Sequence, residues 1–101
     1  MNYFFYRLNA PRPTFAADMT AEEGALMGVH AQYWRELVAN GTAIVVGPVL
    51  DPKASFGMAV VRLEEGADPS ALGNYDPVIT ANKGFTFEIF PMPRVMLPEE
   101  E

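Results

Sequence analysis

Apolar positions recur at helical spacing between Thr20 and Asn40, with Leu26, His30, Tyr33, Trp34 and Leu37 on one face. Ala31, Gln32, Arg35, Glu36 and Ala39 fall on the opposite side and are expected to face away. Thr20 followed three residues on by Glu23 forms a capping box, and Gly41 supplies the left-handed residue that ends such a helix. Elsewhere the pattern changes to that of strands. Residues 2–9 alternate Tyr3, Phe5 and Arg7 against Phe4, Tyr6 and Leu8. The β-branched run 42–49 predicts a second strand, interrupted at Gly47-Pro48. Residues 56–63 predict a third, hairpinned to the second, and 85–90 a fourth. Pro11 and Pro13 make 10–19 a loop, and Asp51-Pro52 begins a turn.

Between the third and fourth strands, Asp68-Pro69 places an N-cap before a proline at the first helical position. The helix it opens, 69–75, is short because Gly73 and Pro77 limit it, and Asp76-Pro77 marks its end. Residues 92–101 are expected to be an irregular acidic tail, stopped by Pro93 and Pro98 and mobile at Glu99–Glu101. The order β-α-β-β-α-β over one domain, 1–101, predicts an α+β, ferredoxin-like fold. Its four-stranded antiparallel sheet carries both helices on one face. The other face would be bare, yet the strands bring large apolar residues to both faces, Tyr3 and Phe4 or Ile89 and Phe90 for example. A patch of that kind marks an interface, so a homodimer with opposed sheet faces is expected.

Composition narrows the function. Half of the residues are hydrophobic and a fifth charged, the balance of a globular domain. The net charge of −6, with no basic patch, argues against nucleic acid as a partner. The chain has no cysteine, so thiolate chemistry and disulfides are ruled out, and a cytoplasmic setting is expected. The apolar run Tyr3–Tyr6 is too short for a signal sequence, and no stretch approaches a membrane span. Glycine-rich phosphate loops, paired histidines and nucleophilic triads are missing, so no cofactor and no metal are expected.

What remains is the single histidine. His30 lies on the apolar face of its helix beside the single tryptophan, Trp34. One reading makes it a core histidine with both ring nitrogens satisfied by protein. The other needs a carboxylate to orient the imidazole, and Asp76, closing the neighbouring helix, is the local candidate. Asp51 and Asp68 are read as turn and cap residues. Tyr3, Tyr6, Tyr33 and Trp34 are first of all core and interface residues. Tyr6 is a candidate polar handle in a cleft. Arg7, the only charge in the first strand, either clamps an anionic substrate or sits at the sheet edge. Glu88 is solvated or paired across strands.

The series His30-x-x-Tyr33-Trp34-x-x-Leu37, Gly41, Gly47-Pro48-Val49 and Asp76-Pro77-Val78 resembles the YCII-related (YciI-like) domain family, over a span from Tyr3 to about Pro91. The resemblance implies a dimeric α/β barrel and a cleft holding a His–Asp pair proposed to act in proton transfer. Carried over, the pair is His30 and Asp76. From the residues themselves, Tyr6, Arg7, Tyr33 and Trp34 are the candidates for contact with a small-molecule substrate. The second helix, short and holding Gly73, departs from the family pattern, as does the compact loop 51–55. Two functions stay open. One is a cofactor-independent isomerase or lyase acting on a small organic molecule. The other is a non-catalytic dimer that binds a small ligand or partner, with His30 and Asp76 holding helices together. A ring nitrogen of His30 reachable from a cavity would separate them.

Overall fold

A computed structural model describes residues 1–98. Its strands are β1 (Asn2–Asn9), β2 (Ala43–Val49), β3 (Phe56–Leu63) and β4 (Thr86–Pro91), all paired antiparallel in the order β2-β3-β1-β4. Its helices are α1 (Phe15–Asp18), α2 (Ala21–Ala39), α3 (Ser70–Asn74) and α4 (Pro77–Thr80). The architecture is α+β, with helices packed against one side of an open sheet, and it is compatible with a ferredoxin-like fold.

The strands and the long helix fall where the apolar pattern puts them. The Thr20–Glu23 capping box is formed, with Thr20 N donating to Glu23 Oε1 at 2.8 Å and Glu23 N to Thr20 Oγ1 at 3.1 Å. Gly41 closes the helix at φ 81°. β2 runs through Gly47-Pro48 without a break, because β2 is an outer strand and the missing N–H of Pro48 need not serve the ladder.

Three segments differ from expectation. Residues 10–19 are not a plain loop: they contain α1, whose Phe15 is buried edge-to-face against Phe85. One turn of helix anchored by a single aromatic leaves little periodic signal. The second helix begins at Ser70, with Pro69 at the N-cap position, though Asp68 still accepts hydrogen bonds from Ser70 N and Ser70 Oγ. Past Asn74 the chain turns at Asp76 and starts again as α4, so Asp76 is less the end of one helix than the N-cap of the next. Residues 92–98 hold no helix or strand, while Glu99–Glu101 of the expected tail lie outside the described residues.

Register sorts the side chains between faces. Tyr6, Leu8, Ala59, Val61 and Phe87 lie on the helix side and form the core with Trp34, Phe15 and Val78. On the uncovered side Phe5 is paired with Val60 and Phe90, Val45 with Val60, and Arg7 with Met58 and Glu88. Val45 and Phe90 are about half exposed there.

Ahead of α2, Arg12 donates to Asp18 and, through both terminal nitrogens, to Glu23, tying α1 to the first turn of α2. The Arg12 hydrogen bonds, then that from Thr20 N–H, hold the Glu23 carboxyl at about 2, below its ordinary 4.5. A depressed carboxylate stabilises the fold above its ordinary range and loses that contribution as pH falls toward the depressed value. Glu23→Gln should therefore lower the melting temperature at pH 6, and the deficit should shrink to nothing near pH 2 (thermal melts of both proteins across that range). An equal deficit at both ends would mean the ion pairs are not its source.

Candidate functional site

Asp76 is the polar centre of the helix layer. It is fully buried, and its dihedrals (φ −62°, ψ 131°) turn the chain out of α3 so that the carboxyl group points back into the protein. Pro77 at the first position of α4 suits this turn, since its missing N–H is one the helix start would leave unpaired anyway. Asp76 Oδ1 caps α4 by accepting from Val78 N at 3.0 Å. Oδ2 accepts from Trp34 Nε1 at 2.6 Å. Both oxygens lie within reach of His30 Nδ1, at 2.9 and 2.7 Å. The carboxylate thus gathers three donors from α2 and α4, and no buried side-chain polar atom is left unpaired among the described residues.

This arrangement sets the tautomer of His30. A carboxylate only accepts, so Nδ1 must carry the proton it shares with Asp76, and Nε2 of the neutral ring presents a lone pair. Nε2 makes no hydrogen bond among the described residues and is not a buried orphan, so it is accessible. The His30 side chain is 14% exposed.

His30 and Trp34 line a cavity of about 550 Å³ between α1, α2 and the helix side of the sheet. Tyr6 and Leu8 of β1, Phe85 and Phe87 at β4, and Phe15 of α1 line it. Met19 and Val38, both partly exposed, stand at its rim. The volume falls in the range of small-molecule sites.

The expected substrate residues divide. Trp34 and Tyr6 line the cavity with His30. The Tyr6 phenol, however, donates to Pro69 O, and burial pushes its pKa well up, so it stays a neutral donor turned toward α3. Tyr33 does not line the cavity: its hydroxyl donates to Leu72 O at 2.7 Å. Burial, and after it the Asp76 charge, raise the Tyr33 phenol too. Arg7 is neither at a sheet edge nor in the cavity. It belongs to an inner strand and to the opposite face, with its guanidinium 3.9 Å from the centroid of the Phe56 ring and Glu88 3.8 Å away.

Two residues expected to face away, Ala31 and Arg35, instead line the cavity with Met27 and Val38. Met27, Ala31, Trp34 and Val38 sit at i, i+4, i+7 and i+11, a second apolar stripe beside the first, and that spacing is the signal in the sequence for a wider inward face. Among the described residues no three His, Cys, Asp or Glu side chains come together as a metal site. No helix among them is long and apolar enough to cross a membrane. No protein-family model matches the chain, and no curated protein is similar to it.

Proposed function

We propose that the protein catalyses proton transfer on a small organic molecule held in this cavity, with His30 as the base and Asp76 as the group that orients it. The observation that carries the reading is the division of the imidazole on a residue that lines a cavity: Nδ1 is bound to a buried carboxylate, and Nε2 has no protein partner among the described residues. Nε2 takes a proton from an activated carbon, and the imidazolium that forms is stabilised by the charge of Asp76. Returning the proton to a different carbon completes an isomerisation. Loss of a leaving group from the neighbouring carbon, with the proton passing to water, completes an elimination. The apolar walls strengthen the charge interactions involved. The resemblance to YCII-related proteins, with their helix histidine and Asp-Pro, supports the same assignment. The test is the uptake of solvent deuterium at carbon, followed by NMR over a panel of small carbonyl compounds and lactones, by the wild-type protein and by His30→Ala. Histidine-dependent exchange supports the reading, and exchange at the uncatalysed rate across the panel counts against it.

A second reading has an observation of its own. Asp76 joins α2 to α4 and caps α4, which is what a purely structural joint would do. The protein would then be a binding module, with its ligand held by the apolar walls alone.

For the assembly, we propose a homodimer packed through the uncovered sheet face, giving the dimeric α/β barrel. Phe5, Val45, Val60 and Phe90 form a contiguous apolar patch there with no helix over it. A specific dimer would bury on the order of 800 Å² per subunit. Light scattering at micromolar concentration should give twice the 11.1 kDa chain mass. Phe5→Asp should return the mass to that of one chain without loss of the circular dichroism signal. A wild-type protein of single-chain mass would end this proposal.

A further inference from the structure

We infer that the cavity takes a compact apolar molecule bearing a single carboxylate, and that Arg35 is the residue that anchors that group. The inference deepens the proposed function by naming the class of ligand for the same cavity.

The argument starts from charge. The chain carries 13 acidic against 7 basic residues, yet no carboxylate lines the cavity, where Arg35 is the fixed charge. The lining at Arg35 is thus opposite in sign to the chain as a whole. His30 is already paired with Asp76. Arg35 differs from the other arginines near the sheet and helices: Arg7 bonds Asn9 and stacks on Phe56, Arg12 holds Asp18 and Glu23, and Arg62 donates to Gly41 O. Arg35 has no hydrogen bond or ion pair of this kind among the described residues. Sequence explains why. Its helical neighbours at i±3 and i±4 are Gln32, Val38, Ala31 and Ala39, none of them a carboxylate.

Position completes the case. Arg35 is exposed at the rim while the cavity interior is walled by Phe15, Trp34, Phe85 and Phe87. Helix geometry puts the Cβ atoms of His30 and Arg35 roughly 10 Å apart, five residues along α2. A ligand with a ring among those aromatics and a carboxylate at the mouth spans a cavity that both Arg35 and His30 line. A guanidinium grips a carboxylate through two parallel N–H bonds, which no other cavity-lining side chain offers.

The experiment uses 4-cyclohexylbutanoate and its uncharged isostere 4-cyclohexylbutanamide. Binding is read from the indole N–H resonance of Trp34, the one tryptophan of the chain. The carboxylate should bind about tenfold more tightly than the amide. Added salt should weaken only the carboxylate, and Arg35→Gln should bring the two ligands to parity. Arg35→Lys should keep part of the preference. The preference should persist in His30→Ala, which separates this inference from the catalytic one: a protein without exchange activity but with an Arg35-dependent preference retains the anchor and loses only the base. Equal binding of the two probes to the wild type would overturn the inference. So would a preference that survives Arg35→Gln and vanishes in His30→Ala, or the absence of any shift of the Trp34 resonance with either probe.

Discussion

Asp76→Ala is expected to lower stability by about 3–5 kcal/mol, the range seen when one partner of a buried charged network is removed. The side chain is fully buried, and its loss strands the ring N–H of His30, the indole N–H of Trp34 and the backbone N–H of Val78 at once. Each stranded donor keeps the cost of leaving water without the bond that offset it. For a domain of this size the change corresponds to a fall in melting temperature of about 15 °C or more, measurable by circular dichroism. Asp76→Asn preserves volume but turns an NH₂ group toward donors, so it should recover only part of the loss. A fall of a few degrees for the alanine variant would mean that water enters and satisfies these groups, and would remove Asp76 from its place at the centre of the helix layer.

His30→Ala should shift the balance the other way, with a large effect on chemistry and a smaller one on the fold than Asp76→Ala. The side chain is partly exposed and belongs to a residue that lines the cavity, and Asp76 keeps two of its three donors when the ring is removed. One hydrogen bond to a charged group is lost, a cost of about 1.5–3 kcal/mol. Proton transfer, where His30 is the base, should drop by about 10²–10⁴-fold. His30→Asn sharpens the comparison, since its amide N–H can replace Nδ1 against Asp76 but offers no basic nitrogen to a substrate. Catalysis by the imidazole predicts a stable, inactive asparagine variant. A purely structural histidine predicts that deuterium exchange, if any, is the same in wild type, His30→Ala and His30→Asn, and that stability alone distinguishes them.

The two substitutions pull apart because the members of the pair do different work. Asp76 caps a helix and joins it to another, so the fold depends on it whatever the function. His30 contributes one contact to that joint and presents its second nitrogen away from it. Arg35 contributes none, and its substitution is expected to leave the fold unchanged while altering only which ligands are held.

Much of this was legible from the amino-acid sequence. Binary alternation is a local property, so the four strands and the two-sided apolar character of β1 follow from nearest neighbours. Capping is local too: Thr20, Glu23 and Gly41 mark the ends of α2 because each acts on backbone groups within one turn. The placement of His30 toward the second helical segment follows from helical spacing, and the proximity of Asp76 from the order of elements. Tertiary structure decided the rest. An Asp-Pro pair stops one helix or starts another with equal local sense, and here Asp76 is a start, its carboxylate accepting from Val78 N and Trp34 Nε1. The one-turn helix at Phe15 exists because Leu8, Val78 and Phe85 surround that ring, residues distant in sequence that no local pattern connects. The cavity is space left between α1, α2 and the sheet, and such a space belongs to no residue. That is why Ala31 and Arg35, outward on a helical wheel drawn for one neighbour, line its wall once a second surface stands beside them.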